Sequence, residues 1–151
     1  ERKQKAQNLG MSQIEVSTLA SIVKGETNKM DEAPRIAGVY INRLKRGIPL
    51  QADPTLVFAI GDFSIRRILN KDKLFDSPYN TYKNRGLPPG PINMPSIPTL
   101  DAVLNYEDHS YLYFCAKADF SGYHAFAKTL TEHNKYAREF QRALNRERIY
   151  R

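Results

Sequence analysis

The sequence predicts an α+β fold, mainly helical, with a small β-hairpin and one long proline-rich loop lining a cleft. Three observations predict it. Apolar residues recur at helical spacing through residues 12–26 and 31–47. Two short runs, Tyr111–Ala116 and Gly122–Ala127, have strand composition and are separated by a turn. Six prolines fall between Asp76 and Pro98, too dense for regular structure.

The chain has 151 residues, the size of one domain with a real core. Its net charge of +7 attracts anionic partners: nucleic acid, an anionic lipid surface or an acidic wall polymer. Cys115 is the one cysteine, so no disulfide forms within the chain; its apolar surroundings read as those of a buried free thiol. No apolar run approaches the ~18 residues of a membrane span, and no signal peptide opens the chain. Residues 1–10, charged and polar, read as a linker remnant, and 11–151 as the domain.

Ser12 is a helix N-cap, and Val16, Leu19, Ile22 and Val23 form one apolar stripe ending at Glu26. After a short connection, Asp31 caps a second helix with Pro34 in its first turn. Ile36, Ala37, Tyr40, Ile41 and Leu44 form its inner face. Arg43, Lys45 and Arg46 suit its C-terminal dipole, and Gly47 stops it. The two helices pack as a hairpin. Asp53-Pro54 caps and opens a short helix over Thr55–Ile60, and Ser64–Asn70 reads as another, with Arg66 and Arg67 on a solvated face. The loop from Asp76 to Pro98 carries Tyr79, Tyr82, Leu87, Ile92 and Met94 to bury, so it reads as ordered. Thr99 caps a helix from Leu100 to about Tyr106, and Thr131 onward is a basic amphipathic helix.

The chemistry narrows by elimination. No Gly-x-Ser-x-Gly elbow and no phosphate-binding Gly-x-x-x-x-Gly-Lys pattern occurs. His109, His124 and His133 lack His-x-x-x-His spacing, so neither a metal nor another cofactor is expected. The basic C-terminal helix is interrupted by Glu132, Glu139 and Glu147, unlike a phosphate track, so no nucleic-acid partner is expected. What remains is Glu26 on a core-directed stripe and a loop rich in Tyr, Asn and Pro. A carboxyl against apolar neighbours holds its proton to higher pH, as a general acid needs. A solvated glutamate at a fraying helix end, with Gly25 and Asn28 as stop signals, has the same spacing. Cleavage of a glycosidic bond fits the first reading. Asp53 is the second carboxylate to consider; its place at a helix start also explains it.

Eight stretches carry a resemblance: Leu19-Ala-Ser-Ile-Val-Lys-Gly-Glu-Thr27, Val39-Tyr-Ile-Asn-Arg-Leu44, Leu50-Gln-Ala-Asp-Pro-Thr55, Tyr79-Asn-Thr-Tyr82, Gly86-Leu-Pro-Pro-Gly-Pro-Ile92, Tyr111-Leu-Tyr-Phe114, His124-Ala-Phe126 and His133-Asn134. In this order they resemble the catalytic domain of the YceG-like endolytic murein transglycosylase (MltG) family. The resemblance implies that Glu26 is the catalytic acid and then the base, with peptidoglycan glycan strands as substrate and 1,6-anhydro ends as product. The family's usual Glu-Lys-Glu-Thr is here Lys24-Gly25-Glu26-Thr27, which raises the question of whether Lys24 tunes Glu26. On the same footing Gln51, Asp53, Tyr79, Asn80, Tyr82, Pro88, Pro89 and His124 are expected to bind substrate or shape the site, and Asn42 and Asn134 to support it. The family's membrane anchor and LysM-like subdomain are absent from these residues. The resemblance also implies work at the outer face of the cytoplasmic membrane, with cell-wall synthases as partners. A hydrolytic muramidase assisted by Asp53 and a noncatalytic glycan-binding module are the alternatives.

Overall fold

A computed structural model describes residues 1–150. The order is α1 (Arg2–Leu9), α2 (Gln13–Glu26), α3 (Ala33–Lys45), α4 (Asp53–Ile60), a 3-10 turn (Asp72–Leu74), α5 (Ile97–Leu104), β1 (Tyr113–Ala116), β2 (His124–Ala127) and α6 (Leu130–Arg146). The fold is mainly helical α+β.

The core is the three-helix contact of α2, α3 and α5. Ser12 starts α2 with a full capping box: its Oγ accepts from Glu15 N, and Glu15 Oε1 accepts from Ser12 N. Leu19, Ile22, Val23, Ile36 and Val103 are wholly buried there. Each such side chain contributes about 1.5–3 kcal/mol on leaving water. Gly38 lets the segment after α5 close onto α3: a Cβ on it would lie 2.4 Å from Glu107 O. Asn42, one turn on, donates to His109 O and Tyr111 O and carries that segment to β1. β1 and β2 pair antiparallel, with Tyr113 opposite Ala127 and Ala116 opposite His124, and α6 packs on the hairpin.

Several local expectations change. Residues 1–10 are not a slack linker. They form α1, tied to α5 by Arg2 on Asp101 at 2.8 Å and by buried Ala6. The first residue before α3 is Glu32, not Asp31, and Glu32 does not cap, because its carboxyl is engaged inside the protein. Asp53 is inside α4 rather than its cap. α5 starts at Ile97 with Ser96 as cap, and Thr99 completes the capping box instead of capping. No helix forms over Ser64–Asn70. Asp62 Oδ1 takes both Ser64 N and Ser64 Oγ, Asp72 Oδ2 takes Leu69 N, and Arg67 reaches Asn145 and Ile149 O. Those side-chain bonds replace a helical ladder.

The stretch from Phe75 to Pro95 has no regular element and is pinned throughout. Asn80, wholly buried, donates to Lys73 O and Phe75 O and accepts from Tyr82 N. Ser21 of α2 holds the far end, accepting from Ile92 N through Oγ and from Asn93 Nδ2 through its carbonyl.

Candidate active site

Glu26 is the last residue of α2, where the apolar stripe runs out into a cleft. Tyr40, on the facing turn of α3, is 2% exposed and donates its hydroxyl to Glu26 Oε1 at 2.5 Å. Phe114 of β1 packs edge-on against the Tyr40 ring and fixes it. Burial pushes the Glu26 carboxyl up to about 8; the Tyr40 hydrogen bond opposes this, and the charge of Asp53 adds to it. Glu26 is therefore largely protonated at neutral pH.

Asp53 enters the same cleft from the first turn of α4. Tyr82 donates to its Oδ1, again at 2.5 Å. Asp53 stands at the open rim. The surrounding walls still raise its pKa, against the Tyr82 bond and the Lys73 charge. Both tyrosines have their own pKa raised, by burial first and then by these carboxyls, so they remain protonated donors.

Gly25 makes this approach possible. A Cβ there would lie 2.9 Å from Pro54 Cβ, so the bare position lets Asp53-Pro54 close on the end of α2. Lys24 has a different job from tuning: its Nζ donates to Met94 O at 2.6 Å and staples the proline-rich loop to α2.

Two grooves meet at this point. One, of about 440 Å³, runs from Glu26 and Asp53 past Gln51, Tyr82 and His124 toward α6. The other, of about 470 Å³, leaves Glu26 and Asp53 along Val57, Phe58, Phe63 and Ile65. Arg66 borders both. Gln51 has a left-handed backbone, φ 50°, uncommon for a residue with a side chain. Its Oε1 lies 3.4 Å from Arg43 Nη2, so its amide is oriented at the groove wall. His124 pairs through Nδ1 with Glu32 at 2.6 Å.

The structure thus brings Glu26, Gln51, Asp53, Tyr82 and His124 together. It does not bring Asn80, which is buried as the pin that sets Tyr82. Tyr79 packs on Phe58 behind the second groove. Pro88 is buried and Pro89 exposed, and neither lines a groove, so the expectation that they shape the cleft wall is not met. Asn42 is an internal tie, and Asn134 is exposed on α6. Two cleft residues, Tyr40 and Arg43, had other expectations, and Glu32, which holds His124 but does not itself line the cleft, had none. Tyr40 reads in sequence as one more apolar position of α3; the available signal is that a buried tyrosine hydroxyl needs a partner. Glu32 has no local mark. Arg43, 5% exposed, is not serving the helix dipole: it donates to Pro49 O and Leu112 O and floors the cleft. Cys115 also lines the cleft, but burial pushes its thiol up to about 11, which keeps it protonated and unreactive. Among the described residues no group of three or more His, Cys, Asp or Glu is placed to hold a metal ion. The arrangement is suited to proton transfer beside a polar, partly aromatic groove.

The chain is 47% identical over 118 residues to the endolytic murein transglycosylase of Bacillus subtilis (strain 168), covering 78% of this chain and 32% of that protein. It is 39% identical over 116 residues to the endolytic murein transglycosylase of Streptococcus pneumoniae (strain D39), covering 74% of this chain and 21% of that protein. The chain therefore spans a third or less of the length of these curated relatives. The crystal structure of a YceG-like protein from Listeria monocytogenes matches with a TM-score of 0.81 and 41% identity, over 88% of this chain and 43% of that one. The sequence model of the YceG-like family matches residues 1–139, from α1 into α6, so the chain belongs to the YceG-like family.

Proposed function

We propose that this domain is a peptidoglycan lytic transglycosylase with Glu26 as its single essential acid–base group. One observation carries the reading: a glutamic acid whose carboxyl burial pushes up to about 8 stands where two grooves of about 440 and 470 Å³ meet. Family membership and two relatives named endolytic murein transglycosylase support peptidoglycan as the substrate class.

Glu26 gives its proton to the oxygen joining C1 of N-acetylmuramic acid to N-acetylglucosamine. The C1–O bond breaks, and the glucosaminyl part leaves as an alcohol. The C6 hydroxyl of the muramyl sugar attacks C1, and its proton returns to the Glu26 carboxylate. The product is a 1,6-anhydro end, and no water is consumed. Tyr40 stabilises the carboxylate that forms between the two proton transfers. Gln51 and Tyr82 face the groove with amide and hydroxyl groups suited to sugar substituents. By this reading residues 11–151 act on nascent glycan outside the cytoplasmic membrane, and cell-wall synthases are the expected neighbours.

A hydrolytic muramidase is the second reading. Asp53 favours it, as a second carboxyl in the same cleft whose charge acts on Glu26. Digestion of purified peptidoglycan by wild type and Glu26→Gln, read by mass spectrometry, separates the two. Anhydro-ended fragments from wild type alone support transglycosylation. Reducing ends that take up oxygen from labelled water support hydrolysis. Absence of both from wild type sinks the enzymatic reading of the isolated domain.

A further inference from the structure

The two grooves that meet at Glu26 differ in chemistry. Gln51, Tyr82 and His124 put polar groups on the first. The second is walled by Val57, Phe58, Phe63, Ile65, Ile68 and Ile92, and its volume of about 470 Å³ is that of a ligand site. Its walls are held from behind. Phe58 packs on the Tyr79 ring with centroids 4.9 Å apart, and Ser21 Oγ accepts from Ile92 N. The run from Phe63 to Ile68 is fixed by Ser64 on Asp62 and by Arg67 on Asn145 and Ile149 O.

Four polar side chains line this second groove: Glu26, Asp53, Arg66 and Asn93. Glu26 and Asp53 stand where it opens, each bonded to its tyrosine. Asn93 donates Nδ2 to Ser21 O, and its Oδ1 is covered by protein, with no partner among the described residues. Arg66 alone is free. It is exposed, and among the described residues it makes no hydrogen bond or ion pair. A guanidinium stays charged, and its fork of N–H donors matches a carboxylate. The groove therefore suits a ligand that is mostly apolar and carries a negative group. A glycan has hydroxyls on every ring, and these walls offer them few partners.

Peptidoglycan brings such a ligand to this place. A muramyl ring carries a lactyl ether on C3, two ring carbons from the C1 that reacts. A short stem peptide with alkyl side chains and free carboxylates extends that lactyl group. An extended peptide spans about 3.3–3.6 Å per residue, so a stem that enters beside Glu26 runs along the second groove. We infer that the second groove is the stem-peptide subsite of this domain, where Arg66 pairs with a carboxylate of the stem and Phe63 covers its alkyl part. The inference rests on the peptidoglycan reading above and adds a specificity to it: the domain prefers strands that still carry their peptides.

The test is binding, measured by titration calorimetry on Glu26→Gln so that the strands are not cut. Two ligands are compared: uncross-linked glycan strands with intact stems, and the same strands stripped by an amidase, which leaves the lactyl carboxylate free. Intact strands are expected to bind about tenfold more tightly, the worth of one charge-assisted pair. Arg66→Ala added to Glu26→Gln is expected to bring the two affinities together by weakening intact strands alone. Arg66→Lys is expected to recover part of the difference, since it keeps the charge and loses the fork. Phe63→Ala is expected to weaken intact strands by about five- to tenfold. Arg66 and Phe63 are both exposed, so these changes leave the core untouched. Stripped strands bound as tightly as intact ones, or an Arg66→Ala loss equal on both, would overturn the inference and leave the proposed reaction standing. Binding of neither strand would remove the peptidoglycan reading and the inference with it.

Discussion

Two tyrosine–carboxyl pairs line one cleft with the same bond at the same length, and burial pushes one carboxyl, that of Glu26, up to about 8. Tyr40–Glu26 and Tyr82–Asp53 both close at 2.5 Å. The first sits where two packed helices meet, its tyrosine almost wholly buried and braced by Phe114. The second sits at the rim, with Lys73 Nζ 5.2 Å from the Tyr82 ring centroid. In each pair the hydrogen bond favours the charged carboxylate, so neither bond makes an acid. Burial does, and at Glu26 the charge of Asp53 adds to it while no cation among the described residues opposes it. At Asp53 the Lys73 charge works against burial. The difference lies in the walls, not in the pair.

The largest effect that can break this comparison is loss of each carboxyl in turn. Glu26→Gln is expected to lower peptidoglycan cleavage by about 100- to 10,000-fold. Asp53→Asn is expected to cost about tenfold or less under transglycosylation, because no second carboxylate is needed. Equal losses, measured as initial rates on the same peptidoglycan, would remove the distinction and favour the hydrolase.

A sharper test is the direction in which the basic limb of the pH–rate profile moves. Under the proposed reaction cleavage requires protonated Glu26, and the rate is expected to fall as pH rises through about 8. Tyr40→Phe removes a bond that lowers the Glu26 pKa, so the limb moves to higher pH. Asp53→Asn removes a charge that raises it, so the limb moves to lower pH. Shifts of the same sign would show that the two neighbours do not act on Glu26 through these forces.

Stability offers a smaller effect with the same logic. The folded pKa of Glu26, about 8, lies above its ordinary value of 4.5. The folded state therefore binds more protons between those values, and stability is fully present below pH 4.5 and lost as pH rises through about 8. Glu26→Gln is neutral at every pH and escapes that loss. It is expected to melt above wild type by about 3 °C or more at pH 9, with the gap closing at pH 4. A gap that does not change with pH, measured by calorimetry across that range, would place the ionised carboxylate in water rather than against the wall.

The same contrast explains what the sequence made legible. α2 and its capping box, the inner face of α3 and the hairpin are local patterns, set by periodicity and by residues three or four apart. Glu26 was visible because it closes such a pattern. Tyr82 was marked by the Tyr- and Asn-rich loop that carries it and by the family resemblance, not by periodicity. Tyr40 was hidden by the pattern itself, since its ring fits the apolar face and only its hydroxyl serves the site. Glu32 and His124 are 92 residues apart and meet only after β2 docks on the α2–α3 turn. The helix expected at Ser64–Asn70 failed for a related reason. The flanking Asp62 and Asp72 bind turn groups, and Arg67 reaches the end of α6, rather than a helical ladder forming.

Lys24 should give the smallest effect, and it separates sequence proximity from spatial proximity. It lies two residues before Glu26, which puts it on the far side of α2, because helix neighbours lie three and four residues apart. Its ammonium is held by Met94 O, and Tyr40, Asp53 and burial account for the Glu26 shift without it. Lys24→Met is therefore expected to leave the basic limb where it is and to cost about 0.5–1.5 kcal/mol through the lost staple. Lys24→Glu, which reverses the charge there, should also leave the limb in place. A limb that moves down when Lys24 is kept and up when it is removed would put the lysine's charge inside the Glu26 pocket, and the walls around that pocket would no longer suffice to explain its acid.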